Sequence, residues 1–376
     1  MKDNKIVKIV FVVSFFSIIV FFMVTTLFNN EKVSDLERRN LETFPEFSFK
    51  ALTSKEFYDD LTTAFNDQLE LRNVLIKGYF LFQFQRYYGD AVIGDNNQLY
   101  SPSQTIPSSS YYNNLEKAIL KVNEVFDDIN AKFIFLSIPR KDAYMTKDLP
   151  NTYNSSLDIY ERQVNIVKNT LSNDIIFIDA YDVFASNDIY NCYYSNDHHI
   201  TPRCAYLLYE EINKYTNTES YDLDEMFYVE KTIVNGAYNR QLGQSVKSSL
   251  EELYLIPKQE IKYTRYENDE LSDKEVYGVG NSYEDAYMGG DMAYTRIETN
   301  NDGKNIMFVG SSFTNILEAL AIPSYNTMVS VDYRHNDTGN GIDYYVNKYD
   351  IDYVVFIPAQ SNNAFSIERI NLYLGK

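Results

Sequence analysis

The sequence predicts an α/β fold with a mainly parallel sheet, carried behind one membrane-spanning helix. Three observations support this prediction. An uncharged apolar run occupies residues 9–28, and short apolar runs alternate with helical patterns from about residue 111 onward. In addition, 45% of the 376 residues are hydrophobic and 23% are charged, a composition that excludes an intrinsically disordered chain.

The charge balance excludes one class of partner. Lys and Arg number 34 and Asp and Glu number 53, so the formal net charge is −19 at pH 7. Nucleic-acid binding depends on clustered Lys and Arg side chains. We therefore expect no nucleic-acid partner.

The N-terminal segment predicts where the protein resides. Twenty residues at about 1.5 Å per residue span the roughly 30 Å hydrocarbon core of a bilayer. Three lysines precede the run and acidic residues follow it, which predicts that residues 1–8 are a cytoplasmic tail and that the chain after residue 28 is extracytoplasmic. A cleaved secretory signal is the alternative, but such a signal has a shorter apolar region and a small-x-small site. We expect residues 9–28 to be an uncleaved signal anchor in the cell membrane.

The elements after the anchor follow in order. Residues 29–50 are polar and predict a stalk, and residues 51–376 predict one extracytoplasmic domain. Its first helix is indicated by Phe57, Leu61, Phe65 and Leu69, which recur four residues apart. Buried parallel strands are predicted at 132–138, 175–179, 305–309, 328–332 and 353–357. Helices are predicted at about 111–129, 157–171, 202–215, 313–320 and 341–348.

One region interrupts this alternation. Residues 221–302 are rich in Tyr, Asn, Asp and Gly and have poor periodicity. We interpret them as a long insertion within the domain, with a second small domain as the alternative.

The first motif with chemical potential contains two of the three histidines. Residues 196–202 read NDHHITP, in which Thr201 is a predicted helix N-cap and Pro202 the first helical residue. Asp197 and His199 therefore lie on a loop before a helix, where an Asp can orient an imidazole as in a catalytic triad. A polar loop without any chemistry would have a similar sequence.

The second motif is the sequence NIMFVGSSFTN at residues 305–315. An apolar strand ends at Gly310, two serines follow, and a helical pattern begins, as where α/β enzymes present a nucleophile on a sharp turn. The helix start also offers backbone N–H groups to an oxyanion. Ordinary strand-to-helix connections share this pattern, but one chain here supplies a Ser turn, a His and an Asp.

Together these residues resemble the DHHW family and the related proteins that O-acetylate alginate and other exopolysaccharides. Asp197-His198-His199 resembles the family's Asp-x-His motif, and Gly310-Ser311-Ser312-Phe313 resembles its nucleophile turn. Weaker likenesses are found in three further segments, which are ERRNL with FP at residues 37–45, FNDQ with Arg72 at residues 65–72, and GDNNQLY at residues 94–100.

The resemblance implies a three-layer, SGNH-hydrolase-like fold in which Asp and His precede Ser in the chain. It implies Ser312 as nucleophile, His199 as general base and Asp197 as the residue that orients the base. Ser311 stands where many members have Asp, and Ile200 stands where Trp is usual. The first departure leaves open which serine attacks.

The resemblance also implies a function and its partners. The expected function is O-acetylation of a cell-surface or secreted polysaccharide through an acetyl-enzyme, with no cofactor. A membrane-bound O-acyltransferase is the implied acetyl donor and a polysaccharide the acceptor. A carbohydrate acetylesterase and a catalytically inactive polysaccharide- or wall-binding protein remain alternatives.

Other residues are weaker candidates. Gly310, Ser311, Phe313, Arg334 and Arg140 could contribute to a substrate or oxyanion site, since they lie at or after predicted strand ends. His335 could rival His199 as base. Cys192 and Cys204, the two cysteines of the chain, bracket the Asp-His loop and could form a disulfide. A zinc site built from both cysteines with His198 and His199 has none of the usual spacings, and we expect no metal.

Overall fold

The computed structural model describes residues 5–34, 36, 39–49, 51–84, 91–101, 106–150, 153–187, 189–244, 246–299, 301–336, 338–359 and 365–374. Glu37 and Arg38, which belong to the family resemblance, lie outside these residues. The chain divides into two compact units, one of residues 1–89 with 240–245 and one of residues 90–239 with 246–376.

The first unit begins with helix α1, Lys5–Phe28, which is long and apolar enough to cross a membrane. Two short strands, β1 at Val33–Ser34 and β2 at Arg39–Asn40, pair antiparallel within the predicted stalk. Helices α2, Lys55–Asp67, and α3, Arg72–Phe84, complete the unit. Asp67 forms an ion pair with Arg39, and the Arg39 guanidinium lowers the pKa of the Asp67 carboxyl.

The second unit is built on a sheet of eight strands. The five strands predicted from apolar runs form its parallel part, and antiparallel strands continue it at one edge. The order across the sheet is β10-β9-β11-β13-β12-β14-β5-β6. The strands of this unit are β3 Val92–Ile93, β4 Leu99–Tyr100, β5 Lys132–Ser137, β6 Ile176–Asp179, β7 Phe227–Ile233, β8 Leu250–Pro257, β9 Tyr263–Glu267, β10 Glu270–Ser272, β11 Tyr294–Thr299, β12 Asn305–Val309, β13 Thr327–Val331 and β14 Tyr353–Phe356.

Helices cover both faces of this sheet. Each central strand alternates its side chains between two hydrophobic clusters, so that Ile306 and Phe308 pack on one face and Met307 and Val309 on the other. This arrangement confirms the predicted α/β class with a mainly parallel sheet. The remaining helices are α4 Ser109–Asp127, α5 Lys141–Tyr144, α6 Leu157–Thr170, α7 Ala180–Ser186, α8 Pro202–Thr216, α9 Leu223–Met226, α10 Ala237–Gln241, α11 Tyr283–Ala286, α12 Asn315–Ala321, α13 Ile342–Lys348 and α14 Ile367–Tyr373.

Residues 221–302, predicted as a long insertion within the domain, contribute directly to the sheet. Strands β9, β10 and β11 extend it antiparallel beyond β13, and β7 pairs with β8 in a separate hairpin. Strands β9 and β11 contain half-exposed as well as buried residues, which explains why they lack the continuous apolar runs of the parallel strands.

Candidate active site

The turn after β12 positions two serines differently. Ser311 is buried, and its hydroxyl donates to the carbonyl of Ala359 at 3.2 Å. Ser312 Oγ lies 2.8 Å from Nε2 of His199. A Cβ on Gly310 would lie 2.5 Å from Thr314 Cγ2 and 3.2 Å from the Ile357 carbonyl, so a larger residue here would have to displace its neighbours. The geometry thus favours Ser312 over Ser311 as nucleophile.

A continuous chain of hydrogen bonds runs from Ser312 through His199 to Asp197. His199 Nδ1 lies 2.7 Å from Asp197 Oδ1, and the imidazole is buried. Because an ionised carboxylate accepts only, Nδ1–H donates to Asp197 and leaves Nε2 to accept from the hydroxyl of Ser312. This is the arrangement of a nucleophile, a base and an orienting acid.

Asp197 is fully buried and accepts several hydrogen bonds. Its Oδ1 accepts from the backbone N–H groups of His198 and His199 at 2.6 and 3.0 Å, and its Oδ2 accepts from the N–H of Ala237 at 2.6 Å. Burial by itself would raise the pKa of Asp197, but the two adjacent histidines and these hydrogen bonds outweigh burial and hold the pKa well below its ordinary value. The carboxylate is therefore ionised at neutral pH.

Aromatic rings enclose the imidazole of His199. The ring of Tyr283 stacks on it with centroids 3.8 Å apart and planes 1° from parallel. Phe313, which follows the nucleophile turn, lies 5.1 Å away. Ile200, where the family usually has Trp, is buried in the core instead. Tyr283 lies in the irregular region 221–302, and no local sequence signal pointed to it.

A disulfide closes the loop that carries Asp197 and His199. Cys192 and Cys204 are bonded, with Cα atoms 5.4 Å apart. An isolated antiparallel β-bridge also pairs Tyr193 with Ile200, and the backbone N–H of Thr201 donates to the Cys192 carbonyl at 2.9 Å. Both interactions hold the two ends of the loop together. Asp197 and His199 thus lie on a short loop whose two ends are joined by the disulfide.

A buried lysine and a half-buried glutamate contact the same loop. Lys141 Nζ donates to the carbonyls of Tyr194 and Ser195, each at 2.7 Å. Burial lowers the pKa of Lys141 to about 7, although nearby carboxylates, Glu251 first among them, favour its charged form. Glu251 accepts from the Ser195 hydroxyl and backbone N–H at 2.7 Å. Neither Lys141 nor Glu251 belongs to a recognisable motif, so sequence reasoning missed both.

The two candidate arginines are engaged by carboxylates. Arg334 forms ion pairs with Asp332 and Asp291. Its Nη2 atom lies 2.7 Å from Oδ2 of Asp291. Asp291 also accepts from Asn315, three residues after the candidate nucleophile, at 3.1 Å. Arg140 Nε donates to Asp142 at 2.7 Å. Both arginines therefore have structural ion pairs, and their predicted contribution to an oxyanion site stays a prediction.

The structure also places the residues of two alternatives, which are His335 as the base and a zinc site of two cysteines and two histidines. His335 is exposed, and its backbone N–H donates to Asp332, whereas His199 contacts Ser312. The disulfide occupies both sulfur atoms, so the set of two cysteines and two histidines is not available as zinc ligands. The ligand atoms of Asp197, His198 and His199 do lie within 4.8 Å of one another, but those of Asp197 and His199 already form the hydrogen-bond chain.

Comparison with solved structures identifies the fold. A DHHW family protein from Eubacterium siraeum DSM 15702 superposes with a TM-score of 0.58 at 18% identity, covering 76% of this chain and 99% of that chain. Bacillus cereus PatB1, solved with a sulfonyl adduct, superposes with a TM-score of 0.58 at 17% identity, covering 75% and 96%. PatB1 without the adduct gives a TM-score of 0.57 at 17% identity, covering 76% and 99%. No protein-family model and no curated protein matches the sequence.

The chain therefore has the fold of a DHHW family protein and of PatB1. These neighbours agree with the family resemblance that the motifs around Asp197 and Ser312 indicate.

Proposed function

We propose that this protein is a membrane-anchored, extracytoplasmic O-acetyltransferase that modifies a cell-surface or secreted polysaccharide. The observation that carries the proposal is the hydrogen-bond chain from Ser312 through His199 to Asp197. The resemblance to the polysaccharide O-acetylating proteins supports the choice of acetyl as the transferred group. The apolar helix α1 supports the membrane anchor.

The proposed chemistry has two half-reactions. Ser312 Oγ attacks the carbonyl carbon of the donor's acetyl group while its proton moves to His199 Nε2, and that proton then leaves with the donor's oxygen. A sugar hydroxyl next attacks the acetyl-Ser312 ester, gives its proton to His199, and is released as the sugar acetate while Ser312 regains a proton. Asp197 stabilises the imidazolium in both halves through the bond to Nδ1.

Donor and acceptor follow from the proposed location. Acetyl groups are activated in the cytoplasm, so an extracytoplasmic transferase needs a membrane-bound O-acyltransferase to deliver them. The acceptor is a polysaccharide hydroxyl. If water replaced the sugar in the second half-reaction, the same residues would make an acetylesterase, and a failure of the first half-reaction would indicate a binding protein with an inactive site.

The direct test is covalent labelling of the full chain in detergent with a sulfonyl fluoride, a class of reagent chosen because PatB1 has been solved with a sulfonyl adduct. We expect one label, mapped by peptide mass spectrometry to Ser312, and none in Ser312→Ala. Ser311→Ala is the matched control and should label normally, because the Ser311 hydroxyl bonds to Ala359. Labelling of Ser311, or no labelling of the native chain, would overturn the assignment.

A second measurement separates transfer from hydrolysis. The native chain and His199→Ala are supplied with p-nitrophenyl acetate, with and without a soluble oligosaccharide. With the native chain, we expect added oligosaccharide to yield acetylated sugar and to lower the amount of free acetate. With His199→Ala, we expect neither product above background. His198→Ala should keep substantial activity, since His199 makes the contact with Ser312. Release of acetate alone, whatever the acceptor concentration, would identify an esterase.

A further inference from the structure

The first unit exposes an apolar helix face immediately beside the end of the apolar helix α1. On α3, Val74 is 62% exposed, Leu75 50% and Tyr79 57%. At about 100° per residue these three positions lie on one side of the helix, and the polar Asn73 lies on the other side. Large apolar side chains so exposed on one face usually contact another apolar phase.

Hydrogen bonds within this unit fix the α2–α3 junction at the last turn of α1. The backbone N–H of Glu70 donates to Thr26 Oγ1 at 3.3 Å, and Asn29 Nδ2 donates to the Gln68 carbonyl at 3.1 Å. Gln68, which is fully buried, exchanges two further bonds with the backbone of Glu31, at 2.9 and 2.8 Å. Thr26 is the one buried residue within α1, Phe22 and Thr25 are half-buried, and the other residues of α1 are exposed, so the junction packs against the last turn.

The position of α3 follows from this attachment. Thr26 lies two residues before the end of the 20-residue apolar run, at the level where a spanning helix leaves the hydrocarbon core. Helix α3 begins at Arg72, two residues after Glu70. The polar headgroup layer on each side of a bilayer is about 5 to 8 Å thick. Two residues span at most about 7 Å, so the start of α3 is within reach of that layer when α1 spans a membrane.

We propose that α3 lies on the membrane surface, with the face formed by Val74, Leu75 and Tyr79 inserted at the boundary between headgroups and acyl chains. Interfacial helices insert their apolar face in this manner, and Tyr is enriched at this depth. The occupant is the lipid of the leaflet from which α1 emerges, because hydrogen bonds at Thr26 and Asn29 attach the start of α3 to the end of α1. This inference rests on the membrane anchor of the proposed function and is independent of the proposed activity.

The absence of Trp from the sequence permits a clean test. The full chain carrying Val74→Trp is reconstituted in phosphatidylcholine vesicles, with and without bromine atoms near the headgroup end of the acyl chains. We expect bromine to quench the fluorescence of this single Trp at least about twofold more strongly than that of the matched control Asn73→Trp. Tyr79→Trp provides a second reporter on the same face and should behave like Val74→Trp.

Every outcome bears on the proposal. All variants retain α1, so differences in quenching report the depth of α3 rather than loss of membrane binding. Equal quenching of Val74→Trp and Asn73→Trp by aqueous iodide, with little effect of bromine, would place α3 in water and overturn the proposal. Protection of Val74→Trp from both iodide and bromine would also overturn it, since a second copy or another membrane protein would then cover the face.

Discussion

Replacing Tyr283 tests whether the stacked ring supports the imidazole chemistry. The two rings are parallel at 3.8 Å and Tyr283 is buried, so its π-face interacts with His199 without competition from water. A cation over an aromatic face is stabilised by about 2 kcal/mol when desolvated, and a neutral stacked ring by about 0.5 to 1.5 kcal/mol. The difference, about 0.5 to 1.5 kcal/mol, favours the imidazolium of the transition state. Tyr283→Leu should thus lower kcat by about 2- to 13-fold.

The split between kcat and KM distinguishes this electrostatic role from a loss of substrate binding. A ring that favours the imidazolium acts in the transition state, so its removal should lower kcat and leave KM nearly unchanged. Hydrolysis of p-nitrophenyl acetate at several substrate concentrations provides both constants. Tyr283→Phe keeps the ring, loses only the acceptor of the 3.3 Å bond from Ile316 N, and should resemble the native chain. A Leu variant with unchanged kcat, or an equal loss of kcat in the Phe variant, would refute this role of the ring.

Two further predictions concern the support of the Asp-His loop. The double variant Cys192→Ala with Cys204→Ala lacks the bridge, which joins residues separated by 12 positions, and its free energy of unfolding should fall by about 3 kcal/mol. Urea unfolding without reductant measures this difference, and an unchanged midpoint would contradict the bridge. Lys141 has a folded pKa of about 7 against 10.5 when unfolded, so unfolding takes up a proton between these values and stability should rise with pH across that interval. Lys141→Met should lack this rise of up to about 1.4 kcal/mol per pH unit, and parallel profiles of the two proteins would contradict the burial of its charge.

The parallel half of the fold was predictable because burial on both faces imposes a simple rule. A run such as residues 305–309 must be apolar throughout, since Ile306 and Met307 face different clusters. Strand β9, at Tyr263–Glu267, has no such constraint and reads YTRYE, with polar and charged residues between and after its two tyrosines. The sequence consequently indicated the central strands and missed those that extend the sheet.

The site was predictable to the extent that its residues are local in sequence. Asp197 and His199 share one loop. Gly310 lies where a Cβ would come 2.5 Å from Thr314 Cγ2, so the glycine of the turn fits a crowded position. Tyr283 and Lys141 reach the site only through tertiary packing, and neither leaves a pattern that periodicity could reveal. The pairing of Arg334 with Asp332, two residues away, was the local contact that the sequence could have indicated.

The position of the last strand has a consequence for synthesis. β14, at Tyr353–Phe356, lies between β12 and β5 and is the one described strand that pairs with both. Before it is in place, the strand leading to Ser312 has no hydrogen-bonded path to the strands on the other side of the sheet. During synthesis the two parts of the parallel sheet therefore cannot join until residues 353–356 are available.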